Sequence, residues 1–453
     1  MGRVALIGEN SIGYVNALLD IWNNGDCAVL IDWRIPFESA IEMIRDACVQ
    51  TCYIESGLHA EICDDKYSSV SFIRYEKVNL KAELLPSSIY DKFKDNYSKE
   101  EAVVIYSSGT TGKSKGIILS HYAISTNADA IIDYMKPIPD DCIYICKTIS
   151  HSSTLVGELL VALKTKMELI MSPIIVPPRC VLNNIKKYGV TILCVNPTLL
   201  SIYADAYNPS KFDLSTLRTI YVSGSILSSR VYNKAHSVFS NVPIYNVYGL
   251  SEAGPRVSAQ TADSCKSNSV GKPIKNVQIH IVNEQGKVLP SGERGILHVS
   301  TQCQFGGYIT GTQKHLSLYK TWYNTGDIGY IDEFGELHIM GRVDDVIIID
   351  SHKIYPSEIE KILLEQTSIE ECAIVKIDIN SYECLGCLYV GNKESDFEIK
   401  TILRKKLMIY EIPKYFVRCE DLPKNRNGKA IRSEVKTYLI KHVTQNNRCT
   451  SWN

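Results

Sequence analysis

No run of the roughly 18 consecutive apolar residues needed to cross a bilayer occurs in the sequence, so no transmembrane helix is expected. A basic block is also missing: 49 Lys and Arg offset 50 Asp and Glu, leaving a net charge of −1. General affinity for nucleic acid or anionic lipid is therefore not expected. The start, MGRVALIGEN, has no apolar signal core, and Leu6 stands where a myristoylation pattern requires Ser or Thr. The 15 cysteines form no paired framework, and the single CxxC, Cys384 to Cys387, has no second pair and no histidine cluster. Ordinary thiols in a reducing cytoplasm are the expectation.

What is present is a chain of 453 residues, 45% hydrophobic and 22% charged, which suits a soluble globular protein too long for one core. Its opening alternates helix and strand patterns. Ile12, Val15, Leu18, Leu19 and Trp22 share a helical face, and CAVLI (27–31) reads as a buried strand. Pro36–Ala47 reads as a second helix and Thr51–Ile54 as the next strand. That is an α/β pattern, a sheet with helices on its faces, and it recurs with a helix over Val181–Tyr188 before TILCV and LRTIYVSG. From about residue 272 the chain becomes β-rich, with two runs in QIHIVNEQGKVLPSGERGILHVS and a hairpin in IDEFGELHIMG. After Gly341 and Arg342 it reads as strand, helix (Pro356–Glu365), two strands, and an amphipathic helix aligning Ile399, Ile402, Leu403 and Leu407. The expected organisation is a large α/β domain over 1–343, including a small β subdomain at about 272–343, followed by an α+β domain over 344–453.

The stretch YSSGTTGKSKG (106–116) has the composition of a phosphate-holding loop. It fails the nucleotide loop G-x-x-x-x-G-K-[ST], because Ser107 stands where the first Gly belongs. The context differs too: the loop lies between two strand-like runs, EAVVIY and GIIL, and a helix begins only after Ser120, with Ile124, Ala128, Ile131 and Met135 on one face. Alone, such a loop does no more than turn the chain.

Four further stretches give it meaning: YNVYGLSEAG (245–254), YNTGD (323–327), GRVDD (341–345) and LPKNRNGKAIR (422–432). In this order and at these spacings the sequence closely resembles the adenylate-forming superfamily of acyl-CoA synthetases, peptide-synthetase adenylation domains and luciferases. The resemblance runs from Val4 to Arg432. It implies that a carboxylate attacks the α-phosphorus of ATP to give acyl-AMP, after which a thiol takes the acyl group. Both first-step partners are anions, so the site must neutralise charge and hold an in-line geometry.

Residue by residue, the resemblance implies that Ser107, Ser108, Thr110 and Thr111 donate hydroxyls to the β- and γ-phosphates. Gly109 and Gly112 let the backbone approach, and Lys113 and Lys115 add charge, unless either is a solvated loop lysine. Glu252 is the expected Mg²⁺ ligand and Ser251 reaches the α-phosphate. Gly224 and Ser225 form the turn beside adenine. Tyr248, followed by Gly249, would stack on adenine, although a tyrosine is more often packing. Asp327 would accept from the ribose hydroxyls and Arg342 contact the same sugar. Lys429 is the implied catalytic lysine, bridging the carboxylate and the α-phosphate. Asp344 aligns with a hinge about which the C-terminal domain turns between half-reactions, replacing Lys429 with the thiol loop that contains Ser351, His352 and Lys353.

The chain departs from the pattern in places. The usual first segment of the large domain is missing, the adenine-side turn reads SGSIL (223–227), and Ser351 stands where Gly usually lets a pantetheine arm pass. Lys353 replaces a common Arg, giving a point charge for a fork. In TISHSSTLVGE (148–158), His151 and Gly157 resemble the acyl- and aryl-acid branch, with His151 either a channel residue or simply core. Glu158 keeps a β-amino or similar cationic acid open. The expected acceptor is CoA or the phosphopantetheine arm of a free-standing acyl carrier protein, since too few residues follow Lys429 for a fused carrier domain. Amino-acid adenylation is a second reading. A catalytically retired nucleotide-binding scaffold is a third, opposed by intact Lys429, Glu252, Asp327 and Arg342.

Overall fold

The computed structural model describes residues 2–58, 69–76, 82–107, 115–173, 177–264, 269–310, 313–316, 322–349, 352–379, 382–392, 394–424 and 430–449. Its frame is a pair of eight-stranded sheets. In the first, strands Glu101–Ser107, Cys27–Asp32, Arg3–Gly8, Thr51–Glu55 and Ser71–Tyr75 run parallel, and Lys115–Ser120 and Gly307–Thr310 extend one edge antiparallel. CAVLID is buried at all but its last residue, as a strand covered on both faces requires. Helix Ile12–Asn23 crosses between strands, starting at Ser11, whose side chain accepts from the Tyr14 N–H. Val15, Leu18 and Leu19 are buried as expected, and Trp22 donates its indole N–H to the Ala102 carbonyl.

The second sheet centres on parallel strands Cys142–Ile145, Glu168–Met171, Ile192–Val195, Thr219–Val222 and Ile244–Tyr248. Two helical segments fill the space between the sheets. His121–Met135, capped by Ser120, buries ten of its fifteen residues, including Ile124, Ala128, Ile131 and Met135. Ser152–Thr154, Leu155–Leu160 and Val161–Thr165 form one continuous segment whose middle turn is a π-helix. One buried cluster takes residues from both sheets and both segments, among them Leu6, Ile105, Ile131, Leu159 and Ile145. A helix apolar on every side belongs between layers.

A four-stranded antiparallel sheet follows, Val277–Val282, Gly295–Thr301, Tyr323–Ile331 and Leu337–Arg342. The C-terminal residues form a hairpin, Ile347–Ile349 with His352–Ile354, and a three-stranded sheet, Ile369–Ile379, Tyr382–Gly391 and Tyr415–Arg418. Helices Pro356–Gln366, Asp396–Leu403 and Arg432–Cys449 pack with them. Two buried clusters belong to this part, one around Ile354, Ile359 and Leu385, the other around Ile377, Val435 and Leu439. Polar contacts join it to the preceding residues: Arg230 Nη1 donates to the Ile369 carbonyl at 2.6 Å, Ser229 Oγ to Glu365 at 2.7 Å, and Arg294 lies 2.8 Å from Glu358.

One expectation needs correcting. The helix expected to align Leu407 stops at Leu403, its start fixed by a capping box between Ser395 and Glu398. Cys384 and Cys387 sit three apart on one strand and so project from opposite faces, a placement that rules out joint metal ligation. No helix among the described residues is long and apolar enough to cross a membrane.

Candidate active site

Parallel strands of the second sheet end at a cavity of about 400 Å³, the usual place for a ligand in an open α/β sheet. Tyr248 and Gly249 enter it from one strand end, and Gly224 and Ser225 from the turn after another, Gly224 with φ +100. Asp327 and Arg342 close the opposite wall. They face each other in register across adjacent antiparallel strands, with Arg342 Nε 3.7 Å from Asp327 Oδ1. A separation of fifteen positions is thus spanned by one hairpin. Asp344 lies just beyond, exposed in the short turn Val343–Asp345.

Tyr248, expected against adenine, also donates its hydroxyl to Asp327 Oδ2. Burial, then the Asp327 charge, pushes that phenol far above its ordinary pKa, so it stays a donor. Its half-buried ring lines the cavity, where stacking needs only the ring face. The C-terminal part supplies the remaining wall through Glu360, Arg432 and Ala430. Arg432 donates to Glu360 Oε1 at 2.8 Å and Oε2 at 3.2 Å, a two-pronged pair that fixes this wall.

The second group of residues surrounds Glu252, in the turn Ser251–Ala253. Glu252 Oε1 accepts from the Tyr308 hydroxyl at 3.0 Å, and Tyr308 in turn meets the Tyr323 hydroxyl at 3.1 Å. Burial and the Glu252 charge push Tyr308 far above its usual pKa, keeping it a donor. Lys115 Nζ stands 5.5 Å from the Tyr308 ring centroid. Ser107 and Lys115 are themselves paired in register, so the two ends of the expected phosphate loop meet beside Glu252. Ser108, Gly109, Thr110, Thr111, Gly112 and Lys113 lie outside the described residues, as do Ser351 and Lys429.

Ser251 Oγ meets Ser152 Oγ at 2.6 Å, tying this group to the helical segment between the sheets. His151 caps that segment, its Nδ1 accepting from the Ser153 N–H at 3.3 Å. Solvent reaches the ring from the cleft, yet crowding by protein, then Lys147 and Arg256, lowers its pKa to about 4. The unfolded imidazole takes a proton near 6.5 and the folded one only near 4, so stability falls as pH drops through that window. His151→Gln is expected to lose less stability than wild type between pH 7 and pH 5, read as urea midpoints. Equal losses would mean that His151 titrates alike in both states.

Glu158 does not face a ligand site unpaired. It is fully buried, and Lys147 Nζ lies 2.9 Å from its Oε1, though off the line of a well-formed hydrogen bond. Burial raises its pKa and Lys147 opposes the rise. In the expected thiol loop, His352 stacks on Tyr410 with centroids 4.0 Å apart, and Lys353 pairs with Glu284 at the surface.

Tyr308, Tyr323, Ser152, Arg256 and Arg432 escaped the sequence reading. Motif spacing carried no signal for them, since each partner lies far away in the chain.

Residues 2–309 match the family described as AMP-binding enzyme, and residues 358–429 match the AMP-binding enzyme C-terminal domain. The chain is similar to 2-succinylbenzoate–CoA ligase of Bacillus mycoides (strain KBAB4), at 28% identity over 452 residues, covering 96% of this chain and 88% of the relative. The fold matches an anthranilate CoA ligase, AuaEII, bound to anthranoyl-AMP, with TM-score 0.83 and 19% identity over 98% of this chain and 88% of that one. It also matches the Bacillus subtilis O-succinylbenzoate CoA synthetase with ATP and magnesium ion, with TM-score 0.80 and 22% identity over 96% and 89%.

Proposed function

The chain belongs to the AMP-binding enzyme family, and from that membership we propose that it is an ATP-dependent ligase joining a small carboxylic acid to a thiol. The acid's carboxylate attacks the α-phosphorus of ATP, pyrophosphate leaves, and the thiol then displaces AMP to give a thioester. The observation that carries this reading is the Asp327, Arg342 and Tyr248 group on the cavity wall. It offers a carboxylate to a ribose, a cation beside it and an aromatic face to a base.

Glu252 suits Mg²⁺: Tyr308 fixes one carboxylate oxygen, leaving the other as the hard oxygen donor this ion prefers. The ion would offset phosphate charge. Lys115 and the phosphate loop hold the β- and γ-phosphates, Ser251 the α-phosphate, and Lys429 bridges the reacting groups. Ala430, next to Lys429 in the sequence, lines the cavity, which supports that role. Turning at Asp344 would exchange Lys429 for the loop of Ser351, His352 and Lys353.

CoA is the acceptor this reading favours over a carrier protein, since the relatives are named CoA ligases. Pairing of Glu158 with Lys147 disfavours a cationic acid such as an amino acid. The test is ATP–pyrophosphate exchange over a panel of aryl, acyl and amino acids, with the product from CoA identified by mass. Exchange with aryl or acyl acids and a CoA thioester are expected; no exchange with any acid by folded protein overturns the reading.

Asp327→Asn is expected to raise the KM for ATP by about 10- to 100-fold, the loss of charge-assisted hydrogen bonds to the ribose. An unaltered KM in this variant would remove Asp327 from the nucleotide site.

A further inference from the structure

Beside the segment that begins at Ser152 lies a buried charge with no match. Arg256 is 3% exposed, and its Nε has no hydrogen-bond partner. Its main chain is fixed: Asn127 donates to the Arg256 carbonyl at 2.9 Å and accepts from its N–H at 3.0 Å. The arginine is thus anchored by backbone while its Nε is left without a partner. Arginine cannot escape the cost of burial by losing its proton.

The neighbouring charges do not compensate. Glu158 faces both Lys147, at 2.9 Å, and Arg256, and Asp32 is paired with Arg34 at 2.5 Å. His151 is neutral at pH 7, its pKa lowered to about 4. Among the described residues this leaves two buried or half-buried cations, Lys147 and Arg256, against one carboxylate, Glu158. The Tyr134 hydroxyl, buried and without a formed hydrogen bond, borders the same guanidinium. An unmatched buried cation is costly unless a ligand brings the anion.

Position says which part of the ligand that anion belongs to. Gly157 brings bare backbone against Arg256, since a Cβ there would lie 2.8 Å from Nη2. Five residues earlier, Ser152 holds the Ser251 hydroxyl at 2.6 Å. In the ligase reading, on which this inference rests, Ser251 marks where the reacting carboxylate meets the α-phosphate. Gly157, against which the guanidinium lies, is thus five residues further along the same helical segment.

We propose that Arg256 binds a second, distal carboxylate, so that the substrate is a dicarboxylic acid activated at one end and anchored at the other. Tyr134 donates a further hydrogen bond to the anchored end. Gly157 is required because any side chain would displace the guanidinium.

Matched acids test this in the full-length protein, by pyrophosphate exchange with hexanoate against adipate and with benzoylpropanoate against its ortho-carboxylated counterpart, 2-succinylbenzoate. Wild type is expected to favour the diacid of at least one pair by about 10²-fold or more in kcat/KM, the size of a desolvated charge pair. R256M is expected to erase that ratio and R256K to restore part of it. A wild-type ratio at or below one in both pairs overturns the proposal even if R256M does not fold, and so does a ratio that survives in R256M. Exchange with monoacids but without diacid preference sinks only this inference, whereas no exchange with any acid sinks the ligase reading beneath it.

Discussion

Lys429→Ala is expected to lower acyl-adenylate formation by about 10²- to 10³-fold, the typical loss when one preorganised charge is removed from a developing anion. Transfer of the acyl group from supplied acyl-adenylate to CoA is expected to persist, because on the proposed scheme Lys429 has left the site by then. The physical basis is the wall of the cavity proposed to take the nucleotide, where Ala430 and Arg432 stand opposite Asp327 and Arg342. Arg432 is braced by Glu360 and lies 3.4 Å from Asp345, so the helix start beyond Lys429 is anchored just past the turn at Asp344. Single-turnover measurement of each half-reaction decides the matter. Equal loss in both would mean that one arrangement serves both steps and that no exchange occurs.

Gly249→Ala is expected to be the most damaging methyl addition among the glycines that line the cavity. A Cβ at this position would sit 1.8 Å from the Pro255 carbonyl oxygen and 2.9 Å from Arg256 Cα. Neither neighbour is the flexible end of a side chain, so backbone must move. The displaced segment carries Tyr248, the Ser251 and Glu252 turn, and the Arg256 backbone, and thus both halves of the candidate site. We expect a stability loss of about 1–3 kcal/mol from overpacking, together with loss of protection by ATP in thermal unfolding. Gly306→Ala is the control, because its Cβ would meet Ile118 at an ordinary 3.7 Å. Wild-type stability and ATP protection in Gly249→Ala would show that the turn tolerates a side chain.

Much of the frame was legible because local pattern and tertiary role coincide. CAVLI is apolar throughout and becomes an inner parallel strand; Ser120 precedes an apolar helix and caps it. The terminal helix Arg432–Cys449 was not legible, since Val435, Leu439 and Val443 alone mark its buried stripe. The site residues with motif neighbours were named from the resemblance, but their supports were hidden. Tyr308 reaches Glu252 across 56 residues and Ser152 reaches Ser251 across 99. Such pairings are set by sheet order, which periodicity does not encode. Glu158 illustrates the converse: its spacing suggested a ligand contact, and its burial beside Lys147 revealed a partner already in place.

Among the described residues, no apolar cluster is shared between the C-terminal sheet and the layers before it. A body that keeps its oil to itself behaves as a ball in a wet socket. Swinging it trades a few polar handholds, such as Arg230 to the Ile369 carbonyl, for water, and wets little hydrocarbon. The drag on such a swivel would be ionic, so added salt should ease it and cold should hardly alter it.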